Sequence, residues 1–225
     1  MRRLCGLMLI LMIPVVALAS DTSEFDRFFT SGTLRIDLHH TGRGEMEIFS
    51  LDQIVREPHW GGNQRGLIDT LGLGGYMVRV FDLETNRMIF SRGYCTLFGE
   101  WVTTGEAEEG IARTFHESLL IPYPKGPVQV RIERRDRSNI FHNVFDMVVD
   151  PSDYHIKTEQ RFRHLKVRKL QVEKPADRAV DLVILGDGYQ GDEMHKLRED
   201  AERFTEILFD TEPFESRRRD FNVRL

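Results

Sequence analysis

A short apolar run that breaks on glycines and gives way to a charged helix constrains this chain more than any other stretch. Ala179-Val180-Asp181-Leu182-Val183-Ile184-Leu185 is rich in β-branched residues and carries a single charge. That composition suits a strand buried on both faces of a parallel or mixed sheet better than a strand with one wet face. The glycine-rich Gly186-Asp187-Gly188-Tyr189-Gln190-Gly191 ends it. Beyond, Met194, Leu197, Ala201, Phe204 and Leu208 recur every three or four positions, which predicts a helix with one apolar stripe. Asp192 and Glu193 complement the amino-terminal dipole of that helix, and Pro213 stands past its end. Phe221-Asn222-Val223-Arg224-Leu225 is strand-like again. Strand, crossover helix and second strand make a β-α-β unit. A strand buried on both sides needs neighbours on both edges, so the unit is expected to be incomplete, the opening of a longer α/β domain.

The glycine loop is a literal G-x-G-x-x-G standing between a strand and a helix, the context of a dinucleotide-binding turn. The acid that would hold the ribose belongs at the end of a second strand scarcely present here. A tight strand-to-helix turn is the competing account.

These residues also carry a resemblance. Asp181-Leu182-Val183-Ile184-Leu185-Gly186-Asp187-Gly188-Tyr189, the helix with Phe204, Glu212-Pro213-Phe214 and Phe221-Asn222-Val223 resemble the opening of the catalytic domain of the immunoglobulin-A metallopeptidase family. Upstream, Gly32-Thr33-Leu34-Arg35-Ile36-Asp37, Glu57-Pro58-His59-Trp60-Gly61-Gly62, Glu100-Trp101-Val102-Thr103-Thr104 and Pro122-Tyr123-Pro124-Lys125 are similar to that family's amino-terminal domain. The resemblance implies a secreted zinc peptidase acting on a protein or peptide, with an all-β amino-terminal domain. It further implies that the zinc-binding H-E-x-x-H helix lies beyond Leu225, so that this chain holds no catalytic or metal residue and is inactive alone. The family's chemistry, attack of a zinc-activated water with a glutamate as general base, would rest on that absent helix.

The start of the chain supports export. Met1-Arg2-Arg3 is basic, 4–16 is apolar apart from Gly6 and Pro14, and Ala17-Leu18-Ala19 fits a cleavage site before Ser20. The run is shorter than the roughly 20 residues that cross a bilayer, so a signal peptide over 1–19 is expected, with a secreted or periplasmic product. Its removal takes Arg2 and Arg3 and leaves 29 basic against 36 acidic side chains, a net charge of −7. Nucleic acid and anionic membrane surfaces reward clustered positive charge and are poor partners for it. Cys95 is the one cysteine left after cleavage, so stability must come from packing rather than a disulfide. Its strand-like setting, Tyr94-Cys95-Thr96-Leu97-Phe98, predicts a buried, inert thiol.

From about Phe28 to Val149 the dominant signal has period two. Leu34, Ile36 and Leu38 alternate with Arg35, Asp37 and His39; Met46 and Ile48 continue in that style, as does 76–83. The polar stretch 83–87 predicts a hairpin between 76–81 and 88–91. Strands are also expected at 112–120, 128–132 and 140–149, with Pro122-Tyr123-Pro124-Lys125-Gly126 as a turn, and a helical turn at 104–109 from the capping-box spacing of Thr103 and Glu106. The expected fold is mainly β: an antiparallel β-sandwich over 20–150, a linker with an edge strand over 151–177, and an incomplete α/β start of a peptidase domain over 178–225. The basic run 161–169 reads as that edge strand or as a docking surface.

Candidates for chemistry are few. His116-Glu117 begins like a zinc helix, yet Leu120 stands where the second histidine belongs, and on a strand neighbouring side chains point to opposite faces. His39 and His40 share that geometry. No G-x-S-x-G occurs. Trp60 and Trp101 sit beside loop-like residues, either in the core or on a rim where their rings could stack on a glycan or a protein side chain. A freestanding exported sandwich that binds through these two tryptophans is the alternative to the peptidase.

Overall fold

The computed structural model describes residues 23–43, 46–158 and 165–225. The expected signal peptide at 1–19 and the first residues of the basic run lie outside the described residues. No described helix is long and apolar enough to cross a membrane.

A short helix, α1 (Glu24–Phe28), leads into β1 (Phe29–Arg43), which pairs antiparallel with β2 (Met46–Glu57) and with β5 (Arg113–Pro124). The second sheet runs in the order β4 (Met88–Tyr94), β3 (Tyr76–Asp82), β6 (Val128–Arg135), β7 (Phe141–Val149), all antiparallel. Side chains from both sheets close one core, in which Leu34, Ile36, Leu38 and Ile121 meet Val78, Val80, Val130 and Ile132. That is the antiparallel sandwich the alternation predicts, with the 83–87 hairpin in place.

Four details differ. Pro122 and Pro124 belong to β5 rather than to a turn, pairing with Thr33 and Phe29; β5 is an edge strand, where a missing N–H can face away from the ladder. The phase of β2 is inverted: Met46 and Ile48 face solvent, while Glu47 and Phe49 turn inward. The segment after β4 bends into a helix, α2 (Leu97–Trp101), which Thr96 caps by accepting the Gly99 N–H at 2.9 Å. Cys95 is therefore exposed, because the strand ends before it. The next helix, α3 (Gly105–Glu108), has Thr104 rather than Thr103 at its cap.

In the carboxyl-terminal part, β10 (Phe221–Arg224) is central, with β8 (Lys169–Gln171) antiparallel on one side and β9 (Val180–Val183) parallel on the other. Helix α4 (Met194–Phe209) connects β9 to β10, so the crossover unit forms as expected. Of the basic run, the described residues 165–168 form no strand and only Lys169 enters β8, an edge strand of this sheet. The organising strand differs from expectation: β9 lies at the sheet edge, with Val180 and Val183 exposed and Leu185 beyond it 84% exposed. It has β10 on one side and no strand on the other among the described residues. The inward face of the helix is shifted from the expected stripe, of which Ala201 is buried and Leu197 and Leu208 are half-buried. Ala201, Thr205 and Phe209 are buried, whereas Met194 and Phe204 are exposed.

Candidate functional site

In an open α/β sheet ligands gather outside the carboxyl ends of the strands, and here that place is the glycine loop between β9 and α4. Gly186 packs so closely on Leu197 that a Cβ would come within 2.6 Å of its side chain, and Gly188 turns the chain with φ +81°. Tyr189 ties the loop to the helix by donating its hydroxyl to Asp200 at 3.0 Å. Hydrogen bonds from Lys196, Arg203 and Tyr189 hold the Asp200 carboxyl far below the ordinary range. At the helix start, Glu193 accepts the Gln190 N–H at 2.9 Å in a reciprocal cap with the Gln190 side chain. A carboxylate thus takes the Gln190 N–H, one of the donors that a bound phosphate would need at this turn, and Gly186 and Gly188 serve the tight turn.

The histidine candidates separate by strand face. His116 points outward, 3.2 Å from Asp52 and edge-on to His39. Glu117 points inward, to His40 at 2.9 Å. No pair of adjacent side chains meets on one side of β5.

Among the described residues one group of three, Asp37, Asp52 and His116, brings its ligand atoms within 4.8 Å of one another. Asp37 is buried and already accepts from Ser118 at 2.6 Å, Gln53 at 2.7 Å and Arg35 at 3.0 Å. Burial opposes its ionisation, but those hydrogen bonds and the Arg35 charge keep its carboxyl below the ordinary range. Both oxygens are spent, so the group does not fit the catalytic zinc that the resemblance implies.

Both tryptophans are inside. Trp60 is 4% exposed and packs edge-on to Phe90 in the sandwich core. Trp101 is 8% exposed, lies against Phe98 and Phe115, and donates Nε1–H to Glu106 at 2.7 Å. Neither ring offers a free face, which matches the core account of them.

The assembly that sequence reasoning passed over lies between the sheets. His40, fully buried, has Nδ1 2.9 Å from Glu117 and Nε2 2.9 Å from Glu47. Its ring stacks between Phe49 and Phe98, with centroids 3.9 and 3.8 Å away, and meets Tyr76 edge-on. Arg134 from β6 reaches Glu47 at 2.7 Å. The cue was present in the sequence: His40 continues the inward phase of Leu34, Ile36 and Leu38.

The family model described as peptidase M64 N-terminus matches residues 24–146, and that described as IgA peptidase M64 matches 169–224. The comparison with curated proteins found no match. The first match alone covers more than half of the chain, spanning the sandwich through most of β7, and the second takes in β8, β9, α4 and β10. This chain belongs to the IgA peptidase M64 family.

Proposed function

We propose that the chain is the amino-terminal portion of a secreted or periplasmic zinc metallopeptidase, exported by a signal peptide cut after Ala19, that acts on protein or peptide substrates. In this reading the sandwich of 20–150 and the linker of 151–177 precede a catalytic domain that opens at 178–225, and the zinc is held by residues other than those described here. One observation carries it: the parallel pair β9 and β10, joined by α4, falls within the stretch that matches the peptidase model, yet leaves apolar side chains exposed on strand and helix alike. A sheet built for burial on both faces and left open asks for more polypeptide. The test is the intact mass, zinc content and proteolytic activity of the protein isolated from its native source. A zinc-bearing species heavier than 26.2 kDa whose proteolysis stops on chelation is expected. A metal-free species no heavier than that, with no proteolysis, would overturn the reading.

A further inference from the structure

We propose that His40 is a proton-operated lock that ties β2 and β5 to β1 on the inner face of one sheet of the sandwich, closed while the ring carries two N–H groups and loosened when it loses one. Hydrogen-bond arithmetic leads there first. Ionised carboxylates only accept, and a neutral imidazole has one donor and one acceptor. Both ring nitrogens lie 2.9 Å from carboxylate oxygens, and with both acids ionised only the imidazolium satisfies both contacts. Phe49 and Phe98, stacked on its two faces, suit a cation. The ring is wholly buried, so no solvent replaces a lost partner.

Every sandwich element packed around the ring contributes to its charge balance. Glu47 comes from β2, Glu117 from β5, Tyr76 from β3, Arg134 from β6, and Tyr94 from β4 stands beside Tyr76 with ring centroids 5.7 Å apart. The two acids are balanced by Arg134 and the imidazolium. Burial pushes Tyr76 and Tyr94 far up, aided by the two acids, so both stay neutral. One Glu117 oxygen and the Tyr94 hydroxyl are buried without a partner. Deprotonation of His40 would set a ring lone pair against a carboxylate.

Burial alone would push the ring's pKa down, but the hydrogen bonds and charges of Glu117 and Glu47 outweigh it and raise it above 6.5. A raised folded value means that the stabilisation is complete below about 6.5 and is lost as pH climbs through the folded value. Burial likewise opposes ionisation of Glu47, but His40, Tyr76 and Arg134 hold it below 4.5. Its contribution is present above that value and is lost only as pH falls through the lowered one. The lock therefore opens on the alkaline side. Helix α2 feels it first, because Phe98 rests on the ring and on Gly42, where any Cβ would collide with it.

The experiment is ring-nitrogen NMR of His40 together with chemical denaturation of the full chain between pH 5 and 9. The ring is expected to be doubly protonated at neutral pH. The unfolding equilibrium constant should rise by up to about tenfold per pH unit between the ordinary imidazole value and the folded one. His40→Gln should remove that slope. A neutral ring at pH 7, or a slope kept by His40→Gln, would overturn the proposal. Should that variant fail to fold, the ring signal of the unmodified protein decides by itself. Neither readout depends on zinc or proteolysis, so the result stands apart from the peptidase reading.

Discussion

Asn222 on β10 gives the sharpest test of how the carboxyl-terminal unit is held. Its side chain is wholly buried and uses its full capacity. Oδ1 accepts the Glu173 and Lys174 N–H groups at 3.1 and 3.3 Å, while Nδ2 donates to the Lys174 carbonyl at 2.9 Å and to Asp181 at 3.1 Å. One amide thus ties the central strand both to β9 and to the chain that leads into it. A net hydrogen bond is worth about 1 kcal/mol, and a buried group left without a partner costs about 1–3 kcal/mol. Asn222→Ala strands two N–H groups and a carbonyl, and water entering the space recovers part of the loss. The expected cost is about 2–4 kcal/mol, roughly 30- to 1,000-fold in local opening. Native-state hydrogen exchange on the full chain reads it directly, since the Glu173 and Lys174 amides and the ladder of β10 should lose protection by that factor. Asn222→Asp keeps the acceptors but aims a carboxylate at Asp181, so it should rescue little at neutral pH. Unchanged exchange at Glu173 and Lys174, or a cost below about 0.5 kcal/mol for Asn222→Ala, would refute the account of Asn222 as the staple.

The tryptophans should behave as core residues: Trp60→Ala and Trp101→Ala are each expected to cost about 3–5 kcal/mol in chemical denaturation. Variants that unfold like the parent would show that the rings are not packed as described. Expressed separately, residues 20–177 should give a cooperatively folded sandwich, whereas 178–225 should be disordered or aggregate, because it lacks β8 and the 173–174 backbone that Asn222 binds, and β10 is left with an unpaired edge. Dispersed amide signals from the shorter piece would contradict this.

The outcome along the sequence follows what each side chain signals. Where the inward face is aliphatic, as at Leu34, Ile36, Leu38 and Val128, Val130, Ile132, alternation alone places the strand and its face. Where the inward face carries charge, the same logic misleads. Glu47 looks like a surface residue and Met46 and Ile48 like core, yet His40 needs a carboxylate and reverses the phase. Asp37 lies on the outward face, as alternation predicts, yet it is buried there by Arg35, Gln53 and Ser118 from three strands. Partners on distant strands are invisible to a local pattern. The site was legible only in outline: the glycine loop, the crossover helix and the family motifs are local, whereas the His40 cluster spans 95 positions from His40 to Arg134.

The apolar run at β9 shows the opposite relation between sequence and structure. Val180, Val183 and Leu185 have the composition of a doubly buried strand, and each is exposed. Helix α4 repeats the pattern in part: Met194 and Phe204 (69% exposed) belong to the stripe that periodicity predicts to be buried, while Ala201 of that stripe packs together with Thr205 and Phe209, Phe209 against Phe221 at 5.4 Å. Isolated exposed hydrophobics are ordinary, but a strand and a helix of one crossover unit both showing their apolar sides are not. The composition of β9 and α4 records the surroundings for which they are suited. Their exposure, beside a neighbouring face of the same unit that is packed, is the physical support for the proposal that they open a larger catalytic domain.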